Sequence, residues 1–124
     1  MAARRAVLTG VAQVCGKINE YYAQQLGTEY FEVDWHSGAR PAHAVWQGRV
    51  YSRQQLVSVC GLGTVTGLLG ANCYHMYYPF FPGISVRNYT DEWLDEQNKK
   101  DNTPKSFDGK EYTAYEARQK WKQP

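Results

Sequence analysis

No stretch of this sequence approaches the roughly 18 contiguous apolar residues of a membrane-crossing helix, so no membrane partner is expected. The start does not read as a secretory signal either. In MAARRAVLTGVAQVCGKINE the apolar residues are spaced rather than contiguous. Cysteine is scarce: Cys15, Cys60 and Cys73 are the three present. An odd number without a signal sequence argues against a disulfide framework and for synthesis in a reducing compartment. A strong charge bias is also missing. Fourteen Lys and Arg against twelve Asp and Glu leave a net charge of +2, too mild to mark a nucleic-acid stripe. Arg4 and Arg5 at one end, and Arg118, Lys120 and Lys122 at the other, read as solvated helix faces. The glycines between Gly61 and Gly70 lack the Gly-Lys-Ser/Thr ending of a phosphate loop. Internal repeats and low-complexity segments are absent.

Aromatic residues, by contrast, are plentiful: ten Tyr, four Trp and four Phe in 124 residues. They supply buried area to a small core, or anchors to an interface, and Trp46 and Trp93 fit either role. The length suits one domain over residues 1–124. Its fold class is read as α+β: a long N-terminal helix packed on a small, mostly antiparallel sheet, followed by short C-terminal helices.

The pattern predicts a helix over 3–26. Val7, Val11, Val14, Ile18 and Tyr21/Tyr22 recur at three- and four-residue steps and form one apolar stripe for the core, with Cys15 buried near it. No capping signal opens this helix, which implies a helix that begins earlier in a longer chain. Residues 29–36, EYFEVDWH, alternate as a strand with Phe31, Val33 and Trp35 on the core face and Tyr30, Glu32 and Asp34 on the polar face. Pro41 starts a turn or short helical segment carrying His43 and Trp46, and Gly48–Tyr51 is a second strand. Ser52 caps a short helix through Val59. Cys73–Phe81 is extended, Thr90 opens a helix to Asn98, and Phe107–Tyr112 is a hairpin around Asp108-Gly109. Thr113 with Glu116 opens a last helix through a capping box. Asp91, Glu92, Asp95 and Glu96 read as a solvated helix face.

The chemistry concentrates in two segments, HSGARPAHAVWQGRVY and NCYH. Together they hold His36, His43, Cys73 and His75. Cys73 and His75, two apart on an extended segment, share a face, and His36 and His43 flank a tight turn. Four nitrogen and sulfur donors from two loops would suit tetrahedral zinc. A second reading makes Cys73 a nucleophile with His43 or His75 as its base, and Asn72, Gln47 or amides near Gly70 as oxyanion donors. A third is structural: the histidines and Asn72 satisfy buried loop carbonyls, and Arg40 bonds across to the glycine-rich loop.

ARPAHAVWQGRVYS, then GLGTVTGLLGANCYHMYYPFFPGIS, RNYTDEWL and DGKEYTAYEARQK, resemble the C-terminal region of tailed-phage minor capsid proteins, those of the minor capsid protein 2 family. A weaker resemblance links the layout to Mu F-like head-morphogenesis domains. There Arg40-x-x-His43 falls where those domains carry a Cys pair, and Cys73-x-His75 where they carry Cys-x-Cys. The resemblance implies the C-terminal part of a longer minor capsid protein. It implies a virion component made in the host cytoplasm and placed inside the prohead, with portal or capsid proteins, or double-stranded DNA, as partners. It also implies that Arg40, Trp46, Gln47 and Asn72 join His36, His43, Cys73 and His75 in one cluster, with zinc as a candidate cofactor. Whether the domain is an enzyme stays open. The alternative is a small metal-dependent or Cys-His hydrolase, a toxin-like effector carried in the phage head.

Overall fold

In the computed structural model, residues 2–70, 73–107 and 109–121 are described. Asn72, assigned to the cluster, and Asp108, assigned to the hairpin turn, lie outside them. The elements run α1 (Ala2–Leu26), β1 (Tyr30–Val33), α2 (Pro41–Ala44), β2 (Val50–Ser52), α3 (Arg53–Ser58), β3 (Tyr77–Phe80), α4 (Asp91–Asn102), β4 (Lys105–Phe107), β5 (Lys110–Tyr112) and α5 (Ala114–Trp121). The architecture is the expected α+β one. A three-stranded antiparallel sheet has the order β2-β1-β3, and β4 and β5 form a separate hairpin.

The central strand β1 holds the registers. Phe31 stands opposite Tyr51 on one side and Pro79 on the other, and Val33 stands opposite Tyr77. Phe31, Val33, Trp46, Leu56, Leu68, Leu69 and Tyr77 form the core with Ala23 and Cys60. Burial of each large side chain here contributes about 1.5–3 kcal/mol. The regular part of β1 is shorter than the alternation predicted; past Val33, Asp34 still bonds its neighbours through Met76 O and Gly48 N–H, and its carboxylate also accepts the Met76 N–H at 2.9 Å. Glu32 is a correction. Expected on a polar face, it is buried, and its two oxygens accept from the Asn88 backbone N–H at 2.8 Å and the Asn88 amide at 2.7 Å. The loop before α4 therefore covers the face that alternation assigned to solvent.

Local signals set several boundaries. The Ser52 hydroxyl accepts from Gln55 N–H, and the Gln55 side chain accepts in return from Ser52 N–H, opening α3 with a capping box. Thr113 and Glu116 do the same for α5. Thr90 caps α4 through Trp93 N–H, and α4 runs on to Asn102.

The largest departure from expectation lies in α1. Its apolar stripe faces outward, with exposure from 47% at Ile18 to 65% at Val7 along Val7, Val11, Val14, Ile18 and Tyr21. Cys15, expected to be buried, is exposed beside it. The face laid on the sheet is instead small and polar. Ala23 is buried and Ala12 packs at the core's edge. Gln13 donates to Leu69 O at 3.1 Å, Asn19 donates to Tyr77 O at 2.9 Å, and Glu20 accepts from the Tyr77 hydroxyl at 2.6 Å. Glu20 also pairs with Arg53. Gly16 explains the close approach: a Cβ there would stand 2.5 Å from Leu69 Cδ1 and 2.8 Å from Tyr77 Oη. A β-branched side chain at this crossing would have to push the helix off β3.

Gly16→Val is expected to destabilise the fold by about 1–3 kcal/mol through overpacking. Gly10→Ala, where nothing lies within 4 Å, is expected to stabilise it by roughly 0.5–1 kcal/mol through helix propensity. Urea denaturation of the two variants beside the parent checks both signs.

Candidate functional site

The loop between β1 and β2 builds one wall of the site. Arg40 is extended, as the residue before a proline must be (φ −58°, ψ 149°), and Pro41 at the first helical position starts the single turn of α2. That turn buries His43 and, just beyond it, Trp46 and Gln47. Gly48 then takes φ +78°, with Leu94 Cδ2 packed where its Cβ would be, so the chain doubles back into β2. The far end of the loop is tied to α4: the Ser37 hydroxyl and Gly38 N–H donate to the two Asp101 oxygens at 2.8 and 2.9 Å. The other wall is the irregular segment 73–76 that leads into β3.

Gln47 joins the two walls. It is 1% exposed, and its Oε1 accepts from His36 N–H at 3.0 Å and from His75 Nε2 at 2.6 Å. His43 ties in the glycine-rich loop, its Nε2 lying 2.8 Å from the Thr66 carbonyl oxygen. An acceptor at each Nε2 fixes the tautomer of both rings. Each carries its proton on Nε2 and presents an Nδ1 lone pair. Cys73 Sγ lies 3.8 Å from His75 Nδ1, and donor atoms of His43, Cys73 and His75 all lie within 4.8 Å of one another.

His36 stands beside this group rather than in it. Its ring is 5.0 Å from that of His75, and its Nε2 is 3.1 Å from Asp34 Oδ2, an ion-pair distance without hydrogen-bond geometry. Trp46 packs on both buried imidazoles, with ring centroids 4.6 Å from His43 and 5.2 Å from His75, and its carbonyl accepts from the Tyr51 hydroxyl at 2.6 Å. Arg40 lines a cavity of about 250 Å³ next to the cluster, together with His36, Cys73, Tyr115 and Arg118. Three contributors carried no sequence signal. Asp34, Thr66 and Arg118 reach the site from the residue just past β1, the glycine-rich loop and α5. Only the fold shows that these meet. Trp93, the other aromatic anchor, lies away from the site and packs edge-on against Trp35 at 5.1 Å.

The electrostatics keep the cluster neutral. Burial, then the neighbouring His36, His43 and arginine charges, pulls His75 down to about 3. Burial also lowers His43. It raises the Cys73 thiol, and it pushes Cys60, in the core, up to about 12. A nucleophilic Cys-His pair works as thiolate and imidazolium. This environment opposes both charges, so the geometry does not favour the hydrolase reading.

Comparison with protein families matches residues 1–123 to the model described as Phage minor capsid protein 2. The chain belongs to that family. No curated protein and no solved structure matches it. Membership makes this a phage structural protein and a component of the virion. Among the described residues no helix is long and apolar enough to cross a membrane. In this minor capsid domain His75 bonds to Gln47 and His43 bonds to the glycine-rich loop at Thr66 O.

Gln47→Leu removes the shared acceptor and leaves two donors to find partners. It is expected to destabilise the fold by about 1–3 kcal/mol, read as a lower urea midpoint at unchanged slope.

Proposed function

We propose that this chain is an interaction domain of the phage head that docks on portal or capsid protein through the outward face of α1. The observation that carries the reading is the exposed stripe. Val7, Val11, Val14, Ile18 and Tyr21 follow a four-three-four-three spacing, the seam a second helix packs against. Leu8 and Tyr22 widen it. A protein in solution rarely leaves so long an apolar row uncovered, and a virion component has neighbours to cover it. The occupant is therefore an apolar-faced helix of another head protein. We take position near the portal, inside the prohead, with a part in head morphogenesis, as the setting that the minor-capsid resemblance implies. Double-stranded DNA fits the stripe poorly, since phosphates call for cations and this face is hydrocarbon.

Val11→Asp with Ile18→Asp places two charges in the seam at exposed positions. Folding stability is expected to change by no more than about 0.5 kcal/mol per site, while incorporation into particles, read by immunoblot of purified heads, falls to background. Wild-type incorporation of a folded double variant overturns the reading. So does incorporation that instead tracks a salt-sensitive affinity for duplex DNA.

A further inference from the structure

We propose that His43, Cys73 and His75 bind one zinc ion through His43 Nδ1, Cys73 Sγ and His75 Nδ1, with the fourth coordination position open to the cavity beside Arg40 and Arg118. The inference is independent of what α1 docks against.

The first support is distance. Zinc bonds of about 2.3 Å to sulfur and 2.0–2.1 Å to nitrogen at tetrahedral angles set donors about 3.6 Å apart. Cys73 Sγ and His75 Nδ1 already stand 3.8 Å apart, and a ring nitrogen of His43 belongs to the same group of donor atoms, all within 4.8 Å of one another. Rotamer-scale adjustment of His43 closes the set. The second support is orientation. A ligating imidazole normally gives its other N–H to an oxygen, which fixes the ring and raises its basicity. Both rings meet that requirement here, His75 through Gln47 Oε1 and His43 through Thr66 O. With Nε2 engaged in each ring, Nδ1 is the nitrogen left for a metal, and that of His75 already stands 3.8 Å from the Cys73 sulfur.

The donor set narrows the metal to a nitrogen- and sulfur-seeking transition ion, of which zinc needs no redox partner. One thiolate with two imidazoles suits zinc and not the oxygen-seeking Mg²⁺ or Ca²⁺. Metal binding displaces the thiol proton, so the buried Cys73 enters as thiolate with its charge neutralised. Three protein ligands leave one position. The cavity that reaches it is lined by two arginines and, among the described residues, no carboxylate, so the fourth donor is an oxygen of water or of a small anion. His36 does not complete the set, because its ring faces Asp34.

The test uses the whole chain, purified in metal-free buffer and titrated with Co²⁺, then with Zn²⁺. The expected result is one equivalent bound, with a thiolate-to-cobalt charge-transfer band and tetrahedral ligand-field bands that Zn²⁺ abolishes. Cys73→Ser should lose the charge-transfer band and weaken binding by more than the roughly 10–100-fold typical of outer-shell changes. Cys15→Ser, the exposed thiol on α1, should leave both unchanged. X-ray absorption of the zinc-loaded parent needs no variant to fold, and should show one sulfur, two imidazoles and one oxygen. Failure of the folded parent to bind either ion overturns the proposal. A shell without sulfur also overturns it, as does one with a third imidazole in place of oxygen.

Discussion

The Gln47 side chain is where the parts of this domain are fastened. Its single oxygen takes one proton from the backbone of the loop that follows β1 and another from the ring of His75 on the way into β3. His75 and Gln47 are both buried, Gln47 being 1% exposed. An unmade bond there would therefore cost the full desolvation penalty of the buried group. The loop has only one short helical turn of its own to hold its shape. Side-chain bonds impose its geometry, among them Gln47 in the middle, His43 on the Thr66 carbonyl, and Asp101 of α4 gripping Ser37 and Gly38. With the loop held, Trp46 can lie against two imidazoles and complete the core. The His43 bond also ties the loop to the glycine-rich segment, which is itself held by Leu68 N–H on Cys60 O and by Gln13 on Leu69 O.

Helix α1 obeys a different logic. Its contact with the sheet is made by residues that are small or hydrogen-bonding, and its apolar residues are turned away. Close approach explains the choice. The Tyr77 and Leu69 side chains fill the space under the helix, and a glycine at position 16 leaves room for them while Gln13 and Asn19 reach the Leu69 and Tyr77 carbonyls. Hydrogen bonds to buried carbonyls set the helix in one register. A greasy face could have slid along the sheet. Keeping the polar contacts inside leaves the seam of Val7, Val11, Val14, Ile18 and Tyr21 available to a neighbour.

Much of the backbone was legible in the residues because its causes are local. Ser52 with Gln55, Thr113 with Glu116, Pro41 and the turn glycines act over a few positions, and they mark elements close to where they occur. The sidedness of α1 was not legible. A three-four periodicity shows that one face is apolar, but which surface that face meets depends on what else the fold puts under the helix. Glu32 misled for a similar reason: alternation presumes one wet face, and the loop carrying Asn88 covers it. Within the cluster, His43, Cys73 and His75 were visible as chemistry-bearing residues on two segments. Their separation from His36 was not, since it rests on Asp34, which shares an alternating face with His36 in the sequence and captures its ring in the fold.

The two surfaces of interest are neighbours, and this links them physically. Leu8, at the start of the α1 stripe, borders an apolar groove whose other wall is Cys73, Tyr74, His75 and Met76. The segment that supplies two of the three proposed metal donors is thus also the flank of the proposed docking face. That segment has no ladder of its own before Tyr77, and its order rests on His75–Gln47 and on the Asp34 bond to Met76. A cation held between Cys73, His75 and His43 would add a constraint across the same span. Ordering a surface before its partner arrives lowers the entropy lost on docking. On the proposed reading, a bound ion would serve docking by stiffening the flank of α1.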